Sequence, residues 1–114
     1  MTLKTVAELT NAQILCGAHK LDETIEFCFA SDLMSDVLIL KISNILLVTG
    51  LVNIQSIRTA EMSDIPYILF VRNKEVTPDM IQLAKENDML LMKSSYSMFK
   101  ASGILYESGL KGIF

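Results

Sequence analysis

The sequence is poor in the residues that mark several protein classes: it has no tryptophan, two prolines, five glycines and two cysteines in 114 residues. Two cysteines cannot make a disulfide framework. Cys16 and Cys28 both lie in apolar, strand-like runs, so we expect buried free thiols. The alternative is zinc, with His19 in a Cys16-x-x-His19 pair and Cys28 as a third ligand. No fourth Cys or His is present to complete such a site.

Positive charge and long apolar runs are also scarce. Ten basic residues stand against thirteen acidic ones, giving a net charge of −3, and no basic cluster predicts a nucleic-acid partner. The longest apolar stretch, residues 37–48, is interrupted by Lys41, Ser43 and Asn44 and is shorter than the roughly 20 residues of a membrane span. The N-terminal residues lack the apolar core of a signal peptide. We therefore predict a cytoplasmic protein with no membrane contact.

Apolar residues, in contrast, are abundant. They make up 51% of the chain, and the mean hydropathy is +0.40. A chain of this length forms one domain, residues 1–114. This apolar content is high for a small soluble monomer, so we expect part of it to cover a partner surface.

The first half of the chain predicts short elements. A helix is expected over residues 5–9 with Thr5 as its cap, and a strand over residues 12–17. A second strand is expected over residues 25–30, which are rich in β-forming residues. Ser31 and Asp32 are good N-caps, and they predict a helix from about Leu33 to Leu40.

From residue 45 onward, strands and helices alternate. Apolar runs predict buried strands at 45–49, 67–71 and 89–92, and helices are expected at 53–63, 77–87 and 94–108. Thr77 and Pro78 mark the start of the second helix. Ser94 or Ser95 is the expected cap of the third, which stops near Gly109. This order predicts an α/β fold with a mainly parallel sheet and helices on both faces.

Parallel sheets bind ligands at the carboxyl ends of their strands, and polar residues follow each predicted strand. Because helix starts and cations can hold an anion there, we predict a ligand-binding set at this edge. Its members are Asp32, Thr49, Gly50, Asn53, Arg72, Ser94 and Ser95. The alternative is that these residues only cap helices.

The stretch "LLVTGLVN" has the build of a phosphate-binding loop without its motif. It lacks the G-x-x-x-x-G-K-[ST] spacing and lysine, and it is not G-x-G-x-x-G. His19 is the only histidine. Asp32 and Asp36 could act as paired carboxylates or serve as a cap and a first-turn acid. We predict no enzyme activity, no cofactor and no metal.

Several stretches resemble the DRTGG domain family: "TVAELTNAQILCG", "FASDLMSDVL", "ILLVTGLVN" and "LLMKSSYSMFKASGILYESGL". Related domains occur in HPr kinase/phosphorylase, in some phosphate acetyltransferases and in regulatory pyrophosphatases, where the chemistry belongs to other domains. The resemblance implies a compact α/β regulatory module. The sequence departs from the naming motif, with Gly50-Leu51-Val52-Asn53 in place of Gly-Asp-Arg. It also has Val71-Arg72-Asn73 in place of Thr-Gly-Gly.

The sequence therefore predicts a non-enzymatic regulatory domain that dimerises and senses a phosphorylated small molecule or a nucleotide, with a protein partner also open. The alternative is a structural interaction module without a ligand. The final helix, with Tyr96, Phe99 and Tyr106, is apolar almost all round, which is typical of a helix buried on more than one side. The apolar ending "LKGIF" also favours a homodimer.

Overall fold

The computed structural model describes all 114 residues and contains a six-stranded sheet. The strands are β1 (Gln13–Cys16), β2 (Phe27–Ala30), β3 (Ile45–Thr49), β4 (Tyr67–Phe70), β5 (Leu90–Lys93) and β6 (Lys111–Gly112). Their order across the sheet is β1-β5-β4-β3-β2-β6. Only β1 runs antiparallel to its neighbour. The predicted α/β fold with a mainly parallel sheet is confirmed.

Helices cover both faces of this sheet. They are α1 (Leu3–Leu9), α2 (Met34–Leu38), α3 (Ile54–Met62), α4 (Pro78–Glu86) and α5 (Met98–Glu107), with one 3₁₀ turn at Ala18–Lys20. Helices α2, α3 and α4 connect successive parallel strands and pack on one face, while α1 and α5 pack on the other. Strand β3 is buried throughout, and its side chains alternate between the two apolar layers, as a central strand requires. No helix has the length and apolar character needed to cross a membrane.

Two predicted helix starts are wrong. Helix α1 begins at Leu3, and the Thr2 hydroxyl accepts the Thr5 N–H, so Thr5 lies inside the first turn and is not the cap. Helix α5 begins at Met98 and is capped by Ser97, whose hydroxyl accepts the Lys100 N–H. The predicted caps at positions 94 and 95 lie before the helix. The local sequence offers three serines in four positions, and only tertiary contacts decide which one caps.

The predicted cap and length of the helix after β2 are also wrong. Helix α2 has only five residues, and Leu33 precedes it without any side-chain capping bond. Ser31 accepts the Leu33 N–H inside the connecting loop. The Asp32 carboxylate turns toward β3 instead. At the start of α4, Thr77 and Pro78 occupy the predicted positions, but the Thr77 side chain makes no capping bond.

The C-terminal residues form part of the fold. Lys111 and Gly112 pair with Phe27 and Cys28 of β2, an edge strand that the sequence did not predict. Leu110 is buried in the core layer below α5. Phe114 meets the Phe29 ring edge-on at 6.0 Å, yet it stays 97% exposed. The terminus therefore contributes to the core and still presents an aromatic ring to solvent.

Both cysteines are free thiols, and Cys16 is buried as predicted, whereas Cys28 is only partly buried. The Cys16 thiol donates to the Met89 carbonyl, with the sulfur 3.6 Å from the oxygen. Cys28 packs against the opposite apolar layer of the sheet. His19 is exposed and contacts the Asp88 carboxylate at 2.8 Å. No three His, Cys, Asp or Glu side chains converge on a point that could hold a metal ion, so the zinc alternative has no support.

Alkaline conditions are expected to destabilise the chain through Cys28. Burial raises the pKa of its thiol from the ordinary value of 9.0 to about 12. Between these values the unfolded chain loses the proton and the folded chain keeps it, so stability falls as pH rises. We expect this thiol to lower the free energy of unfolding by about 2–3 kcal/mol from about pH 8 to about pH 11. Urea denaturation at about pH 8 and at about pH 11 measures the decrease in the free energy of unfolding.

Cys28→Ala is the control for this loss. Tyr67 also contributes, because burial and its bond to the Glu23 carboxylate raise its pKa to about 12. The loss of unfolding free energy in the wild-type chain minus the loss in Cys28→Ala gives the contribution of the Cys28 thiol. Equal losses in both would assign the effect to Tyr67 or to other groups.

Candidate functional site

The register of the parallel strands places four strand ends in one row. Thr49 lies beside Phe70, Phe70 lies beside Lys93, and Ala30 lies beside Val48. The residues that follow these strands therefore share the carboxyl edge of the sheet, where parallel α/β folds bind ligands.

Asp32 connects two of these strand ends. Its Oδ1 accepts the Gly50 N–H at 2.7 Å and the Thr49 hydroxyl at 3.0 Å. The Thr49 oxygen in turn accepts the Leu51 N–H at 3.1 Å. Gly50 and Thr49 are buried, so an acceptor for their donors contributes to stability. The Asp32 carboxylate therefore fastens the loop after β2 to the strand-to-helix turn after β3.

Arg72 brings a positive charge to the same place. Its Nη1 lies 3.8 Å from Asp32 Oδ2, and the two side chains are 49% and 46% exposed. An ion pair this long and this exposed is weak because water screens it. The Arg72 side chain crosses Gly50, where an added Cβ would lie 2.8 Å from Arg72 Cδ. We name Asp32, Thr49, Gly50 and Arg72 the strand-end cluster.

The backbone that carries Arg72 is unusual. Arg72 and Asn73 have φ angles of 73° and 52°, two successive left-handed residues without glycine. Their N–H groups donate to the carbonyls of Tyr96 and Ser94 at 2.8 and 3.1 Å, which fixes the turn. Glycine adopts this conformation without strain, and a residue with a Cβ adopts it less readily. Strain that surrounding contacts maintain is common at binding sites.

Three of the seven predicted site residues lie outside the cluster. Ser94 is buried, and its hydroxyl donates to the Thr10 carbonyl at 2.7 Å and accepts the Tyr96 N–H at 3.1 Å, which is a structural role. Asn53 Oδ1 accepts the Ser56 N–H and caps α3. Ser95 is exposed in the loop before α5. Asp36 lies in the first turn of α2 and makes no side-chain hydrogen bond, so nothing pairs it with Asp32.

Sequence reasoning missed a concavity elsewhere on the domain, a groove between α5 and strands β2 and β6. Its signal was the spacing Phe99-x-x-Ser102-Gly103-x-x-Tyr106, which places two aromatic and two small residues on one side of a helix. The groove could not be foreseen because its other wall depends on β6, a strand formed by only two residues.

The class of protein that this geometry defines is a three-layer α/β domain with a polar cluster at the carboxyl edge of its sheet. No protein-family model and no curated protein sequence matches the chain. Among solved structures, the fold is similar to the CBS and DRTGG domains of the regulatory region of Clostridium perfringens pyrophosphatase. That region was determined in complex with its activator, diadenosine tetraphosphate.

The similarity is structural. The TM-score is 0.71 at 14% sequence identity, over 96% of this chain and 47% of the pyrophosphatase chain. This chain therefore spans about half the length of that structure. The two share a fold, and the resemblance to the DRTGG family is confirmed to that extent.

Proposed function

We propose that residues 1–114 form a single non-enzymatic regulatory domain that senses a small anionic metabolite or a nucleotide at the strand-end cluster. The observation that carries this proposal is the position of Arg72. Its guanidinium is half exposed, stands at the shared carboxyl edge and has only a 3.8 Å contact to Asp32. A guanidinium suits phosphate because it offers several donors in a planar fork.

Binding would proceed by exchange. An incoming phosphate would take over the Gly50 N–H, the Thr49 hydroxyl and Arg72, and the Asp32 carboxylate would move away. Asp32 already satisfies the two buried donors, so the fold is stable without ligand. The displaced carboxylate belongs to Asp32, two positions before the first residue of α2. Ligand occupancy would therefore be transmitted to α2, which packs on α3.

Phosphoryl transfer requires a metal, a phosphate cradle and a positioned base. The strand-end cluster offers one cation and two neutral donors, with Asp32 engaged by those donors. Binding without turnover is the function that these groups support. The regulatory context of the pyrophosphatase domains with this fold supports the same conclusion.

One observation favours the second candidate, a structural module without a ligand. The Asp32 carboxylate accepts the Gly50 N–H and partly neutralises Arg72, so the polar groups of the cluster are satisfied without a ligand. In that case the hydrogen bonds only fasten the loop after β2 to β3. Ligand binding separates the two candidates.

We expect a phosphate-bearing compound to raise the melting temperature. Inorganic phosphate, adenosine mono-, di- and triphosphate and diadenosine tetraphosphate are the probes for a thermal-shift screen. At a hundredfold excess over Kd a ligand stabilises the native state by about 2.7 kcal/mol. Arg72→Gln should weaken the binding by about 1–3 kcal/mol, since it removes the charged partner.

Arg58→Gln is the matched control, because Arg58 is the other arginine, lies exposed on α3 and makes no salt bridge. A shift lost in Arg72→Gln and kept in Arg58→Gln supports the sensing function. If no compound shifts the melting curve at millimolar concentration, the structural module is the better account.

We also propose that the domain forms a homodimer through exposed apolar side chains around α2 and the C-terminal residue. Ile39, Met62 and Phe114 are 69%, 68% and 97% exposed. Ile39 and Phe114 line the same concavity. Exposed apolar side chains that lie together mark an interface, and a two-fold dimer is the commonest soluble assembly. Another protein carrying a matching surface is the alternative partner. The two free thiols support a reducing, cytoplasmic location.

The double variant Ile39→Ser/Phe114→Ser is expected to convert a dimer into a monomer. Both side chains are exposed, so the change should leave folding intact. Light scattering coupled to size exclusion measures the mass at micromolar concentration. Deleting residues 110–114 would not be a clean test, because it removes the core residue Leu110 and strand β6. A wild-type chain that is already monomeric would contradict the dimer.

A further inference from the structure

The groove between α5 and the sheet edge has the size of a small-molecule site. It encloses about 350 Å³ and is lined almost entirely by apolar groups, within the range of about 300–1,000 Å³ for ligand pockets. Cys28 and Ala30 of β2 and Gly112 of β6 line the sheet side. None of these residues belongs to the strand-end cluster.

One stripe of α5 forms the helix side. Phe99, Ser102, Gly103 and Tyr106 follow the spacing i, i+3, i+4, i+7, so they lie on one side of the helix. The two aromatic rings at its ends are 89% and 76% exposed. The two small residues between them leave a slot. Small residues also line the sheet side, and the rings at the two ends of the stripe could stack on a flat ring system.

Two features of this stripe are unfavourable for the chain alone. Ser102 Oγ is buried and has no hydrogen-bond partner, the only such side-chain atom in the structure. A buried hydroxyl without a partner destabilises a fold. Gly103 lies inside a helix, where glycine is a poor residue, although a Cβ added there would meet no atom within 4 Å. Packing within this chain does not require glycine at that position.

The charge of the lining indicates the sign of the occupant. Lys111 is the one charged residue that lines the groove, and it takes part in no salt bridge. An anionic group on the ligand would complement it. The apolar lining, in turn, would accept the rest of the molecule.

We propose that the groove binds a flat, amphipathic organic anion. Its ring system lies over Gly103 between Phe99 and Tyr106, and its anionic group faces Lys111. This second site extends beyond the anion sensing proposed at the strand-end cluster and does not depend on it.

Anilinonaphthalene sulfonate is a suitable probe because it is a flat aromatic anion whose fluorescence reports binding to apolar sites. The wild-type chain should bind one dye per chain. Gly103→Leu should weaken the dye at least about tenfold by filling the slot, while leucine in a helix keeps or raises the melting temperature. Phe99→Ala, a change at an exposed side chain, should weaken it by about threefold or more.

Two controls make the result specific. Gln82→Leu adds the same side chain to an exposed position of α4 and should leave the affinity unchanged. Lys111→Gln should weaken the sulfonate about threefold to tenfold and leave neutral N-phenylnaphthylamine unaffected.

The proposal is overturned if Gly103→Leu and Phe99→Ala bind the dye like the wild-type chain. It is also overturned if the stoichiometry shows many weak sites. The groove could instead be filled by a second copy of this chain, and sedimentation equilibrium tests this alternative. If the wild-type chain is a dimer and Gly103→Leu is a monomer, a second copy fills the groove and the small-molecule proposal is wrong. If Lys111→Gln affects both dyes equally, the anionic class is wrong.

Discussion

Gly17→Ala is expected to lower the free energy of unfolding by about 3 kcal/mol or more. Gly17 has a φ of 80°, which costs an alanine about 1–2 kcal/mol. The new Cβ would also lie 2.4 Å from the Met89 carbonyl oxygen and 2.6 Å from Leu90 Cα. Both atoms belong to the backbone entering β5, so relief requires β1 and β5 to separate.

Gly109→Ala separates the cost of the positive φ angle from the cost of the close contact with the β5 backbone. Gly109 has a φ of 108°, and an added Cβ there would meet nothing within 4 Å. Alanine at 109 should therefore cost only the conformational part, about 1–2 kcal/mol. Urea denaturation of both variants measures the difference. Equal losses would mean that the close approach at Gly17 is relieved by a small backbone shift.

The alternation of strands and helices after residue 45 could be predicted because it depends on local apolar periodicity. The runs "ILLVT" and "YILF" are fully buried, as continuous aliphatic strands require. Three successive strand–helix pairs allow little besides a parallel sheet. The shared carboxyl edge of the parallel strands follows from that topology without any knowledge of side-chain contacts, whereas the order of the strands and the edge strand β6 were not predicted.

Two of the predicted caps, Asp32 and Ser94, are wrong because long-range hydrogen bonds hold these side chains elsewhere. Ser94 is a good cap by composition, but its hydroxyl is bonded to the Thr10 carbonyl, 84 positions away. Asp32 is likewise a good cap, and it is bonded across the sheet to Gly50 instead. In both cases a partner distant in sequence outcompetes the local N–H group.

The exposure of α5 also differs from the sequence expectation. Its apolar circumference predicted burial on more than one side, yet Phe99 and Tyr106 are largely exposed. The sheet ends at β6, so only the inner side of the helix, with Ala101 and Leu105, is covered. The exposed side chains of Phe99 and Tyr106 flank the groove, so they are candidates for ligand contact and are not part of the core.

Asp32→Ala is expected to lower the free energy of unfolding by about 1–2 kcal/mol, because the buried Gly50 N–H and Thr49 hydroxyl lose their common acceptor. The carboxylate is 46% exposed, so water that replaces it keeps the loss from being larger. Asp36→Ala, an exposed acid four positions away without a side-chain hydrogen bond, is the matched control and should change stability by less than about 0.5 kcal/mol.

Inorganic phosphate should restore the stability that Asp32→Ala loses. With the carboxylate gone, the Gly50 N–H, the Thr49 hydroxyl and Arg72 face an empty position that matches a small oxyanion. A phosphate concentration of ten times Kd would return about 1.4 kcal/mol. Chloride at equal ionic strength should not, since it cannot accept these bonds in the same arrangement. The double variant Asp32→Ala/Arg72→Gln should lose the rescue, because the cation is then missing as well.

The contradicting outcome is that phosphate stabilises Asp32→Ala no more than it stabilises Asp36→Ala. In that case the hydrogen bonds of the cluster only hold the loop after β2 against β3, and the sensing function must lie elsewhere.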